Sequence, residues 1–159
     1  MGDEANKELT KARNTAYRFL TYRPRSRAEI VQKLHDKEFN EAIIEAVIAD
    51  LARLGYVNDR QFAGQLALSR IRLRGFGRRR IEQELKHKGI DREIIREVVT
   101  EVFVDESEIE TAKQVAGKKI TAMKCLDRET RRRRLAGFLE RKGFSFDIIG
   151  AVLRDSCKW

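Results

Sequence analysis

Apolar positions along this chain recur three times in one frame. Segments 29–51 (EIVQKLHDKEFNEAIIEAVIADL), 80–102 (RIEQELKHKGIDREIIREVVTEV) and 134–156 (RLAGFLERKGFSFDIIGAVLRDS) superpose without a gap. With Leu34, Leu85 and Leu139 as anchors, Ile30, Ile81 and Leu135 stand four positions earlier, and Phe39, Ile90 and Phe144 five later. Ile43-Ile44, Ile94-Ile95 and Ile148-Ile149 follow nine and ten positions on, with Val47, Val98 and Val152 at thirteen. The i, i+4 spacing before the break and the i, i+4, i+5 spacing after it give each of two helices one buried stripe. Repetition at this period is the mark of stacked supersecondary units.

The same frame carries the punctuation. Gly89 and Gly143 fall where a helix ends in a left-handed residue, and Glu38 holds that place in the first copy, where the turn is expected to differ. Two residues on stand Asn40, Asp91 and Ser145, side chains suited to capping the next helix. A further helix is predicted before each pair, at about 11–22 behind Thr10, 60–74 behind Asp59 and 108–123 behind Ser107. Ser26 with Glu29, just after Pro24, and Ser107 with Glu110 match the capping-box pattern. Tyr17, Phe19 and Tyr22 lie at helical spacing and are assigned to the core.

The fold class expected is all-α, with three tandem three-helix repeats at 10–55, 59–103 and 105–155 in an elongated, curved arrangement. Units of about 50 residues are near the lower limit for folding alone, so neighbours should stack. Gly55-Tyr56-Val57-Asn58 is too short for a flexible linker, and the acidic lead from Asp3 to Glu8 fits no unit and is read as disordered.

Composition fits this reading. Of 159 residues 42% are hydrophobic and 37% charged, with one proline. The net charge is +9, a balance that points to nucleic acid, an acidic membrane surface or an acidic protein. Residues 1–58 hold 10 basic and 9 acidic side chains, residues 59–103 hold 11 and 7, and residues 104–159 hold 13 and 9. The excess therefore sits in the last two repeats. No apolar stretch approaches the ~20 residues of a spanning helix, and a reducing cytoplasm is expected. Cys125 and Cys157 cannot form a disulfide framework and are read as structural or surface residues.

Enzyme chemistry finds no support. There is no phosphate-binding loop and no His-Glu-x-x-His. His35 and His87 are lone histidines read as solvated or capping, no metal or other cofactor is expected, and Glu82 and Glu84 are read as solubilising charges.

The arginines stand apart. Residues 70–80 (RIRLRGFGRRR) contain six, Arg70, Arg72, Arg74, Arg78, Arg79 and Arg80, and no acid. A second run is Arg128 with Arg131, Arg132, Arg133 and Arg134, and a weaker group, Arg23, Arg25 and Arg27, surrounds Pro24. Each group is expected to precede the second helix of its unit, lining one edge. Guanidinium forks bind phosphate oxygens in pairs, which makes these groups candidates for nucleic-acid contact. Phe76, between two glycines, is read as a plug between repeats, with base stacking as the other use.

The stretch NDRQFAGQLALSRIRLRGFGRRRIEQELKHKGI (58–90) resembles the central motif of the RecX family, through Asp59, Phe62, Ala63, Arg70, Gly75, Arg79 or Arg80, Ile81, Glu84, Leu85, Lys88, Gly89 and Ile90. Arg25-Ser26-Arg27-Ala28-Glu29-Ile30 followed by Lys33-Leu34 resembles the family's first-repeat stretch. The resemblance covers about residues 12–155 and is weakest in the third copy. It implies a cytoplasmic, non-catalytic modulator of RecA, mainly an inhibitor, and a monomer is the expected state. Such a protein binds the RecA–DNA filament and limits its extension, ATP hydrolysis and strand exchange. The partners implied are the RecA filament and single- and double-stranded DNA through phosphates, with no membrane. Two other readings stay open: a free-standing helix-turn-helix-type DNA-binding protein, and a scaffold for an acidic protein.

Overall fold

In a computed structural model that describes residues 2–155, nine helices and no strand occur among the described residues. The first repeat holds α1 (Gly2–Tyr22), α2 (Arg27–His35) and α3 (Glu41–Arg53). The second holds α4 (Asp59–Arg74), α5 (Arg78–His87) and α6 (Arg92–Asp105), and the third α7 (Glu108–Thr121), α8 (Arg128–Lys142) and α9 (Phe146–Asp155). Cys157 and the end of the third repeat segment, Ser156, lie outside the described residues.

Short polar side chains set the helix starts. Asn40 accepts from the Ile43 amide (2.9 Å), Asp91 from Glu93 (2.8 Å) and Ser145 from Ile148 (3.4 Å), as the frame predicts. Ser26 and Glu29 complete a capping box on α2. Ser107 caps α7, but Glu110 turns to Lys113 at 3.2 Å instead of returning to the cap. Asn58, one residue before the expected Asp59, caps α4, because the Asp59 carboxylate is taken by the Arg27 amide at 2.7 Å. Gly89 and Gly143 have φ of +71° and +90°. Glu38 has φ +61°, so the first copy keeps the left-handed turn it was expected to change, on a residue that pays steric strain for it.

The acidic lead is also corrected. Asp3 to Glu8 belong to α1, which runs unbroken from Gly2. A helix nucleated by its packed part extends at one hydrogen bond per residue, and acids near an N-terminus suit the helix dipole. Thr10 is therefore interior, its hydroxyl donating to the Asn6 carbonyl at 2.9 Å.

Each repeat buries its own core. The first gathers Ala12, Ala16, Ile30, Leu34, Val47 and Leu51, the second Ala63, Ile81, Leu85, Val98 and Val99, and the third Ala112, Leu135, Leu139, Phe144 and Val152. Tyr17 and Phe19 pack against the first core, but Tyr22 is 83% exposed. It stands two residues past Leu20, a rotation of about 200° around the helix away from the buried stripe. The accessible surface is 10502 Å², whereas a compact protein of this mass exposes roughly 8,200 Å². Three small cores in a row account for the excess.

The repeats meet through their second helices. In the first joint the Ser26 hydroxyl donates to the Lys88 carbonyl at 2.6 Å, placing the start of α2 on the end of α5. In the second joint the Gly77 amide donates to the Lys142 carbonyl (2.8 Å) and the Arg79 amide to Gly143 (3.1 Å), placing the start of α5 on the end of α8. Contact is close: a Cβ on Gly77 would lie 2.7 Å from the Gly143 oxygen.

Candidate nucleic-acid interface

Helix starts at Ser26, Gly77 and Asp127 put most of the candidate arginines inside the second helices rather than ahead of them. The frame shifts in α8, which begins earlier, so Arg131 to Arg134 occupy its first two turns.

The first group is mostly neutralised. Arg23 pairs with Glu29 at 2.7 Å and Lys88 reaches the same carboxylate at 3.0 Å. Burial would raise the Glu29 pKa, but hydrogen bonds from Arg23, Lys88 and the Ser26 amide outweigh it and hold the carboxyl at about 2. Arg25 is largely buried, 3.8 Å from the Phe19 ring centroid. Its pKa is lowered by that burial and then by Arg23, against the pull of Glu29. Arg27 is exposed and has no acidic partner among the described residues.

Arg70 and Arg72 also hold carboxylates. Arg70 grips Glu84 through Nε at 2.8 Å and Nη2 at 2.5 Å, and this hydrogen bonding raises the Arg70 pKa. Glu84 is thus the counter-charge of a half-buried pair, not a solubilising one. Arg72 pairs at 2.8 Å with Glu106, the residue that caps the end of α6.

The start of α5 differs. Its N-cap is Gly77, which gives no side-chain cap, and its first turn has no acid. Arginines there oppose the positive end of the helix dipole, at about 0.3–1 kcal/mol each. Each lies over a ring from a different element: Arg78 over Phe103 (5.2 Å), Arg79 over Phe146 (5.4 Å) and Arg80 over Phe76 (5.3 Å). A cation over a ring is held by the ring quadrupole without consuming N–H donors, which stay available to oxyanions. Arg78 also stands 4.0 Å from Glu108. Phe76 packs against the second core at the joint, the plug role predicted for it.

Two clefts continue this surface. One, of about 310 Å³, runs between α4 and the third repeat, lined by Arg72, Arg74, Lys118, Lys119, Phe138 and Lys142 with no carboxylate. The other, of about 540 Å³, shares Lys119 and adds Arg133, Arg134 and Arg141, again with no carboxylate. Arg131 is half-buried and donates to the Leu126 carbonyl at 2.9 Å, while Arg132 is exposed beside it. The structure therefore brings Arg74, Arg80, Arg133 and Arg134 together with lysines that sequence reasoning missed. Lys142 in particular was signalled by its frame partner, Lys88.

The remaining candidates are quiet. His35 stands 3.4 Å from Glu41, His87 Nδ1 lies 2.8 Å from the Gln83 carbonyl, and Cys125 is exposed.

The chain matches the family models for the RecX first, second and third three-helix domains, over residues 12–51, 58–99 and 105–153. It is 34% identical to Regulatory protein RecX of Streptomyces coelicolor over 155 residues, covering 98% of this chain and 82% of that protein. It is 37% identical to Regulatory protein RecX of Bacillus velezensis over 149 residues, covering 94% of this chain and 56% of that longer one. The crystal structure of RecX from Lactobacillus salivarius superposes with a TM-score of 0.85 at 25% identity, over 94% of this chain and 97% of that one.

Proposed function

This chain belongs to the RecX family of regulatory proteins, and from that premise we propose that it modulates RecA, mainly as an inhibitor. It binds the RecA–DNA filament and limits its extension, ATP hydrolysis and strand exchange. The observation that supports this best is the group Arg74, Arg79, Arg80, Lys119, Arg133, Arg134 and Lys142 on repeats 2 and 3, paired with no carboxylate among the described residues, set partly against helix electrostatics and partly backed by aromatic rings.

In this reading the units at 10–55, 59–103 and 105–155 divide the work. The first commits Arg23 and Arg25 to structure and leaves Arg27 exposed, and the second and third face the phosphates of single- and double-stranded DNA in the filament. Surface phosphate contact needs no catalytic group and no cofactor. The protein acts as a cytoplasmic monomer, and no described helix is long and apolar enough to cross a membrane. The helix-turn-helix alternative is disfavoured because the first turn of α5, which would have to enter a groove, is packed on α8.

The test is direct. Stoichiometric protein added to RecA on single-stranded DNA should slow ATP hydrolysis, and an unchanged rate rejects the proposal.

A further inference from the structure

The two joints between repeats are built from matching residues. Stretches 22–30 (YRPRSRAEI) and 73–81 (LRGFGRRRI) align without a gap, pairing Arg23 with Arg74, Ser26 with Gly77, Arg27 with Arg78 and Glu29 with Arg80. On the opposing repeat, Lys88 matches Lys142. The geometry matches as well. The Arg27 amide donates to the first acid of α4, Asp59, at 2.7 Å, and the Arg78 amide donates to the first acid of α7, Glu108, at 2.9 Å. In each joint position 26 or its equivalent donates to the carbonyl of the matching lysine.

The charges do not match. In the first joint the Glu29 carboxylate sits between Arg23 and Lys88 and bonds both. In the second joint the equivalent position is Arg80, so Arg74, Arg80 and Lys142 gather with no acid on any of them among the described residues. The Lys142 ammonium donates to the Arg74 carbonyl at 2.5 Å. Lys142 and Arg80 both lie against Phe76, 5.2 and 5.3 Å from its centroid. Burial, then Arg74 and Arg80, lower the Lys142 pKa, as expected where a partly buried cation sits near others. Like charges held this close destabilise the joint until an anion joins them.

We infer that the joint between repeats 2 and 3 is an oxyanion site, in which a phosphate group takes the place that the Glu29 carboxylate fills between repeats 1 and 2. Arg74 and Arg80 supply guanidinium forks and Lys142 a point charge, the donor set that suits a phosphate. Lys118 and Lys119 along the adjoining cleft draw the anion in. Because the Lys142 and Gly143 carbonyls also hold the start of α5, occupancy stiffens the angle between the two repeats. This goes beyond the regulatory reading, since it needs neither RecA nor a filament. The phosphate comes either from a nucleic-acid backbone or from a free phosphate or phosphate ester.

Thermal unfolding of the full chain decides the matter, with sodium phosphate exchanged for chloride at constant ionic strength and, separately, with an oligothymidylate added. Phosphate at about ten times its dissociation constant should raise Tm by on the order of 3 °C. Arg80→Glu restores the carboxylate of the first joint, so it should melt higher in chloride and lose the phosphate response. Arg80→Gln should fold and also lose the response. Both variants control for the general stabilising action of phosphate as an excluded salt. A response to micromolar oligonucleotide but only to millimolar phosphate identifies the nucleic-acid backbone as the source, and the reverse identifies free phosphate. The site is overturned if the wild-type Tm ignores both, or if both variants keep the wild-type response. The RecA assay is independent, so either idea can fail alone.

Discussion

The Ser26 hydroxyl accepts from the Glu29 amide at 3.2 Å and donates to the Lys88 carbonyl at 2.6 Å. One fully buried side chain therefore starts α2 and fixes it to the next repeat. Removing it leaves a helix amide and a carbonyl unpaired. Ser26→Ala should lower the unfolding free energy by about 1–2 kcal/mol in urea titration, and wild-type stability would contradict the joint.

The first joint is also acid-sensitive. The Glu29 carboxyl is held at about 2, below the 4.5 usual for glutamate, so the folded state resists protonation more than the unfolded chain. Its stabilisation is complete above pH ~4.5 and is lost as pH falls through about 2. The urea midpoints of wild type and Glu29→Gln should differ near pH 6 and converge toward pH 2. A constant difference would assign the role to something other than the charge.

Close backbone approach fixes the second joint. A Cβ at Gly77 meets the Gly143 oxygen at 2.7 Å, whereas one at Gly64, inside α4, meets nothing within 4 Å. Gly77→Ala should destabilise by about 1–3 kcal/mol, and Gly64→Ala should be neutral or stabilising by up to about 1 kcal/mol. Equal effects in calorimetry would count against the packing.

Arginines divide by partner. Arg78, Arg79 and Arg80 replaced together by alanine should weaken DNA and filament binding without loss of helix signal. Arg70→Ala should lower stability, because it strands Glu84, and leave binding near wild type. If about six cations contact phosphates, DNA affinity falls by roughly 10³ between 50 and 200 mM salt. A flat salt response in anisotropy titrations rejects the phosphate contacts.

Glu38 is strained at φ +61° and exposed. Glu38→Gly should therefore stabilise by about 0.5–1 kcal/mol. A destabilised variant would mean that the Glu38 side chain makes up for the strain.

The features legible in the sequence were those decided locally. Asn40, Asp91 and Ser145 act on amides two or three residues away, and Gly89 and Gly143 relieve their own backbone, so the repeat frame exposes them directly. The long α1 was not legible because Asp3 to Glu8 carry no apolar stripe and are helical only by extension from Ala12 and Ala16. The arginines were visible as runs, but not their fates. The carboxylates facing Arg70, Arg72 and Arg78 lie far off in sequence, in α5, at the end of α6 and, for Arg78, in the next repeat. Aligning like with like shows equivalent positions, but not what stands across a joint. Only with the joints built does the exchange of Glu29 for Arg80 become a difference in charge balance.

The end-to-start contacts of α8 with α5 and of α5 with α2 give the molecule a direction. In each contact carbonyls at the end of one helix meet the start of the next, from α8 to α5 to α2, so the row runs opposite to chain order. A rod of this kind has no two-fold symmetry to confuse its ends. Laid along a track that itself has a head and a tail, it can settle in one orientation but not in the reverse.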